Sequence, residues 1–224
     1  MMLAERLNEV NAAIAAAASK AGRDPAAVKL VAVTKTVGLD QIRQAIALGL
    51  HDFGENRLQE ARAKVDAFPD QSWHFIGHLQ TNKVKEVLPR FALIHSLDSF
   101  RLAEALQHWG ERLDRYVNVL VQVNVAREKG KYGLDPGELP DFLTALRAMT
   151  RIKVRGLMAM APWVEDPEEA RPVFRGLRLL QQQCSVPDMQ LEHLSMGMTN
   201  DYRVAVEEGA TIVRVGTALF GPHG

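Results

Sequence analysis

The chain has 224 residues, 47% of them hydrophobic, and its 27 basic side chains balance 27 acidic ones. With no long block of either sign, neither nucleic acid nor a charged membrane surface is indicated, and a small molecule is the default partner. The single cysteine, Cys184, excludes an internal disulfide and a thiolate metal cluster, which fits a reducing compartment. The start Met1-Met2-Leu3-Ala4-Glu5-Arg6 carries charges where a secretion signal needs an apolar run, and no stretch approaches about 18 uninterrupted apolar residues. A soluble cytoplasmic protein is expected, with residues 1–224 forming one domain.

The first element places Leu3, Leu7, Val10 and Ile14 on one stripe of an alanine-rich stretch, an amphipathic helix that Gly22 and Pro25 end. From there short β-branched runs alternate with longer helical patterns. The runs cover 28–34, 51–54, 73–77, 92–96, 116–124, 152–158, 191–195 and 211–215. Helical spacing fills 39–48, 57–67, 82–88, 99–109, 139–149, 167–183 and 199–208 between them.

Strands alternating with helices call for a parallel sheet with right-handed crossovers, and eight of them predict closure into a (βα)8 barrel of the TIM type. The leading helix either covers the barrel bottom or takes the place of the missing last helix. An open doubly wound sheet is the other candidate, but it commonly carries a glycine fingerprint after its first strand, where this chain has Lys35-Thr36-Val37-Gly38. The longest expected loop, 126–137, follows the fifth strand on the face where barrel active sites lie.

The C-terminal strand ends of such a barrel converge on one mouth. The first delivers Lys35, the second Glu55 and Asn56, the third His78, the fourth His95 and Ser96, and the fifth Asn124. The sixth delivers Met158 to Pro162, the seventh Ser195-Met196-Gly197, and the eighth Arg214, Gly216 and Thr217. A lysine ending a buried strand either snorkels to solvent or, desolvated, serves as an amine nucleophile toward an aldehyde. Ser195-Met196-Gly197-Met198-Thr199 and Gly216-Thr217 have the small residues and hydroxyls of a phosphate cup after the last two strands. Each glycine serves equally well for a tight turn.

Arg214 lies in an otherwise apolar strand, where a charge is costly unless it is paired or holds a ligand. It either pairs with a carboxylate such as Glu55 or, beside a Schiff-base lysine and a phosphate cup, faces the ring nitrogen of pyridoxal phosphate (PLP). An arginine there disfavours protonation of the ring, which leaves it a weaker electron sink. Glu55 is either a general base or a residue that orients donors. His74 and His78 straddle a strand end and share no helix face, so no metal site is expected. Ser195 lacks the Gly-x-Ser-x-Gly setting of a hydrolase nucleophile.

Six segments together resemble the YggS/PROSC family of pyridoxal phosphate homeostasis proteins. They are Val33-Thr34-Lys35-Thr36, 53–60, 73–83, Gly156-Leu157-Met158, Leu194-Ser195-Met196-Gly197-Met198 and Arg214-Val215-Gly216-Thr217. The resemblance implies a fold-type III PLP barrel like the N-terminal domain of alanine racemase, with PLP bound as an internal aldimine on Lys35. It also implies that Arg214 faces the pyridine nitrogen. By the same resemblance Ser195, Gly197, Gly216 and Thr217 would hold the phosphate, with Asn56 and Met196 lining the ring. The family is thought to bind, buffer or deliver the cofactor without an established reaction, which affects amino-acid and keto-acid balance. Two positions depart from the family pattern: a tyrosine is common at Arg57, and the loop ending Lys131-Tyr132-Gly133 usually ends Lys-Ser-Gly.

A cofactor carrier is therefore expected, with no catalytic residue, in exchange with apo PLP-enzymes and monomeric. A small PLP-dependent amino-acid racemase is the alternative. Racemases of this barrel type resemble one another in taking a second base, a tyrosine, from an extra β-domain for which 224 residues leave no length. A lysine aldolase acting on a phosphorylated sugar is a more distant reading.

Overall fold

The structure, a computed structural model, describes residues 2–184, 186, 187 and 189–222. The β-branched runs form eight parallel strands: β1 (Lys29–Val33), β2 (Asp52–Glu55), β3 (Ser72–Phe75), β4 (Leu93–Leu97), β5 (Val117–Gln122), β6 (Ile152–Met158), β7 (His193–Ser195) and β8 (Ile212–Val215). Each pairs with the next and β8 pairs with β1, so the sheet closes into a barrel in chain order. The open-sheet alternative is thereby excluded. Closure removes the exposed edges that an open sheet leaves unpaired.

Alternation along the strands divides the apolar residues into two cores. Val31, Leu93, Leu120, Met158 and Ile212 form a small plug inside the barrel. The larger core lies between the strands and the surrounding helices, and it takes side chains of opposite phase such as Phe53, Trp73, Val119, Leu194 and Val213. The helices are α1 (Leu3–Lys20), α2 (Leu39–Ala47), α3 (Leu58–Ala67), α4 (Val84–Val87), α5 (Phe100–Arg112), α6 (Leu139–Leu146), α7 (Arg171–Gln183), α8 (Tyr202–Glu207) and α9 (Thr217–Phe220).

The leading helix fills the ring position that follows the eighth strand. It buries Leu7, Val10, Ile14, Ala17 and Ala18 and packs against α8 and α9. Lys20 Nζ pairs with Glu207 at 2.8 Å, and just past the helix Arg23 donates to the carbonyls of Val206 and Ala210 at 2.6 and 2.9 Å. A last helix does exist, but α9 is a single turn and leaves that space open.

Several expected bounds shift, the fifth strand's for an identifiable reason. The fifth strand ends at Gln122, because Asn124 turns its side chain onto its own loop, with Nδ2 donating to Glu128 O at 2.9 Å and Oδ1 accepting from Glu128 N at 3.2 Å. The seventh strand is only three residues long.

Candidate functional site

Lys35 follows Val31 by four residues in the same inward phase and is exposed at the barrel mouth. Of the two readings of this lysine, the side chain takes the one that reaches solvent. The next residue, Thr36, has φ 66°, a conformation that β-branched residues avoid and that persists only when the surroundings impose it.

Those surroundings are built on the outer face of the sheet. Thr34 is buried, and its Oγ1 donates to Glu55 Oε1 at 2.6 Å. Lys64, reaching in from α3, donates to Thr34 O at 2.7 Å and to Glu55 Oε1 at 2.8 Å. Glu55 thus faces away from the mouth and pairs with Lys64, so it neither pairs with Arg214 nor serves as a base there. The next residue, Asn56, turns to the mouth, and its Oδ1 is buried with no hydrogen-bond partner among the described residues.

Arg214 is buried inside the barrel, in register with Val31 on the neighbouring strand. Its Nη1 donates to Ser195 Oγ at 2.5 Å and its Nη2 to Ala159 O at 3.1 Å. Among the described residues no carboxylate lies at ion-pair distance from it. Burial lowers its pKa to about 10, against a weaker pull upward from Asp201.

Ser195 is fully buried, and its hydroxyl is shared between Arg214 and His95 Nδ1, the latter at 2.9 Å. The structure therefore sets Ser195 on the arginine side of the site. Met196 has the opposite phase and packs in the core between strands and helices, away from the mouth. Gly197 has φ 92°, and a Cβ there would press on Ala205 and Tyr202, so only glycine lets the chain turn this closely into α8. Thr199 Oγ1 accepts from Ala218 N at 3.3 Å and ties this loop to the Gly216-Thr217 turn. Burial raises the pKa of Asp201, whose Oδ1 accepts from Met198 N at 2.6 Å.

A cavity of about 560 Å³ opens beside Asn56 and is lined also by Arg57, Gly77, His78, Lys83 and Tyr132. Tyr132 stacks on His78, the ring centroids 3.9 Å apart, and its carbonyl accepts from the inward-facing Gln122 at 3.3 Å. The two positions that depart from the family pattern, Arg57 and Tyr132, thus border the same space. His78 also approaches Asp98 at 3.6 Å. His74 points into the barrel toward Asp52 and away from His78. Among the described residues no group of three or more His, Cys, Asp or Glu side chains could hold a metal ion. No helix among them is long and apolar enough to cross a membrane.

A lysine at the mouth, a buried arginine on the adjacent strand and a paired loop and turn after β7 and β8 define the class seen in the alanine racemase N-terminal domain. The model of that family matches residues 6–223. A pyridoxal phosphate homeostasis protein of Aquifex aeolicus is 44% identical over 99% of this chain and 98% of its own length. PipY of Synechococcus elongatus, solved with PLP bound, is 39% identical, covers 98% of this chain and 100% of its own, and superposes with a TM-score of 0.84. The chain belongs to the pyridoxal phosphate homeostasis protein family. An alanine racemase from Corynebacterium glutamicum, 19% identical with a TM-score of 0.74, covers 97% of this chain and 62% of its own length and shares the fold alone.

Proposed function

We propose that this chain is a non-catalytic PLP-binding protein, that Lys35 holds the cofactor reversibly as a Schiff base, and that it acts in intracellular PLP homeostasis. The observation that carries the reading is Arg214: a buried guanidinium, one strand away from Lys35, that Ser195 and a carbonyl hold with no contacting carboxylate among the described residues. PLP supplies an aldehyde that combines with amines and a pyridine ring that withdraws electrons.

The residues present fit that group. Lys35 offers an exposed amine, Asn56 Oδ1 is a buried acceptor that lacks a donor among the described residues, and Arg214 faces the ring nitrogen as a pure donor. Gly197, Gly216 and Thr217 hold the phosphate, with Thr199 bracing the loop. Ser195 supports Arg214 instead of the phosphate, and Met196 backs the loop from the outer core. A ring whose nitrogen meets a donor stays unprotonated, and the weaker electron sink suits retention and handover better than turnover.

The whole barrel acts as one holder that exchanges cofactor with the free pool and with apo PLP-enzymes. A slow amino-acid racemase is the second reading, because Tyr132 lines the same cavity as Asn56. Its ring lies flat on His78, which favours the role of a cover.

Borohydride reduction of the PLP-loaded protein, followed by peptide mass spectrometry, tests the holder reading. A pyridoxyl group on Lys35, lost in Lys35→Ala, is expected, and a protein that cannot be loaded refutes it. Incubation with single-enantiomer amino acids tests the second reading. Robust appearance of the opposite enantiomer, lost in Lys35→Ala, would replace the holder by an enzyme.

A further inference from the structure

A line of five hydrogen bonds crosses the inside of the barrel from the mouth to the floor. Arg214 Nη1 meets Ser195 Oγ at 2.5 Å, and Ser195 Oγ meets His95 Nδ1 at 2.9 Å. His95 Nε2 meets His74 Nδ1 at 2.9 Å, His74 Nε2 meets Asp52 Oδ1 at 3.0 Å, and Lys29 Nζ donates to the same carboxylate oxygen at 2.9 Å. The two imidazoles and the serine are buried. Asp52 and Lys29 lie near solvent at the opposite end from Lys35, with side chains 19% and 45% exposed.

Valence gives the line a direction. A guanidinium only donates, so Ser195 Oγ accepts from Arg214. Its one hydroxyl proton then has His95 Nδ1 as its acceptor, which puts the proton of a neutral His95 on Nε2. That proton goes to His74 Nδ1, so His74 carries its own on Nε2 and donates it to Asp52, which as a carboxylate only accepts. Ser72 Oγ, 3.2 Å from His74 Nε2, is the other polar atom beside it. Running the chain the other way needs a doubly protonated His74 and strands the Ser195 hydroxyl proton. Burial holds the pKa of His95 well below the ordinary histidine value, and the charge of Arg214 acts in the same sense. Hydrogen bonds aligned in this way polarise one another in a low-dielectric interior.

We propose that His95 and His74 are positioning residues, two neutral imidazoles that orient Arg214 through Ser195 and link it to Asp52 on the barrel floor. Groups that never touch the cofactor would then set how firmly its ring is held. This use of the relay rests on the reading of Arg214 as the ring-side residue. It also sets a row of aligned dipoles against this buried cation, which no carboxylate among the described residues contacts.

The histidine tautomers are readable without cofactor. In 15N-labelled protein at neutral pH, long-range proton–nitrogen correlation should show His74 and His95 both neutral with the proton on Nε2. A proton on His95 Nδ1, or a doubly protonated ring at either position, overturns the relay.

The second arm compares PLP-loaded protein with Asp52→Asn, a change on the barrel floor, and His95→Phe, which breaks the chain. The absorption maximum of the bound cofactor should move in both variants. Release to an apo-enzyme trap should quicken by on the order of tenfold in His95→Phe, as expected when a misoriented Arg214 loses its charged hydrogen bond to the ring. A merely structural role lowers thermal stability and leaves the spectrum alone, and normal loading with unchanged spectrum and release in Asp52→Asn overturns the proposal even if His95→Phe fails to fold. A protein that takes up no PLP overturns the functional reading together with this use of the relay. Normal tautomers in a colourless protein identify that outcome.

Discussion

Lys64 Nζ lies 2.8 Å from Glu55 Oε1, with both side chains at most 10% exposed, and the same amine donates to the carbonyl of Thr34, the residue before Lys35. A helix thus braces the strand end that leads to Lys35. Removing one partner leaves an uncompensated buried charge, so Lys64→Met should destabilise the fold by about 3–5 kcal/mol. For a chain of this size that is a fall in Tm on the order of 10 °C. The double change Lys64→Met with Glu55→Gln should recover part of it. Calorimetry that finds Lys64→Met as stable as wild type would refute the brace.

Acid should weaken the protein in two stages. The folded pKa of His95 is depressed by burial, so below the ordinary histidine value the unfolded chain binds a proton that the folded one refuses, and stability falls as pH drops below about 6.5. Asp52 follows. Burial pushes its carboxyl up, but hydrogen bonds from His74 and Lys29 and the charge of Lys29 together lower it to about 2. Its contribution is complete above about 4 and is lost as pH falls through the folded value, and it amounts to about 2 kcal/mol. Denaturant melts from pH 7 to pH 2.5 should therefore show a steeper loss in wild type than in Asp52→Asn below pH 4. Equal slopes there would contradict the assignment.

Gly77 lies two residues past the third strand, against the backbone of Asn56, and a Cβ at 77 would collide with the Asn56 carbonyl. Backbone atoms have no flexible end to swing aside, so Gly77→Ala should push Asn56 and the β2–α3 turn out of place. The expected result is weaker PLP retention, by a factor on the order of ten or more, together with a lowered Tm. Titration of the apo-protein with PLP by absorbance measures the first effect, and wild-type affinity would show that Asn56 does not hold the cofactor.

Tyr132 closes the loop over the cavity through its stack on His78. An aromatic pair contributes about 1 kcal/mol beyond its buried area, so Tyr132→Ser should open the loop more often and speed PLP release several-fold. Stopped-flow transfer to a trapping apo-enzyme reads this directly. The aldehyde linkage at Lys35 should survive, so the yield of borohydride-fixed adduct stays unchanged. Slower release in the variant would mean that the loop guides the cofactor outward and does not cover it.

Most of the barrel was legible because a strand buried on both faces reads as a β-branched run and a flanking helix reads as a periodic one. The last helix was not, since one turn at 217–220 carries no period. Asn124 looked like a strand-end residue because its commitment to its own loop depends on Glu128 folding back onto it. The helix-borne Lys64 had no signature, because its partner lies nine residues away on another element.

Alternating apolar runs were enough, by themselves, to determine eight parallel strands and to bring Lys35, Asn56 and Arg214 to their ends. Tertiary structure alone decided which way neighbouring residues turned. Glu55 went outward and Asn56 inward, Met196 outward and Ser195 inward, and the histidines of the third and fourth strands met inside the barrel behind Arg214. The reason is that side chains change face at every residue of a strand, so the choice of face depends on the register in which the barrel closes. That register is a property of all eight strands together.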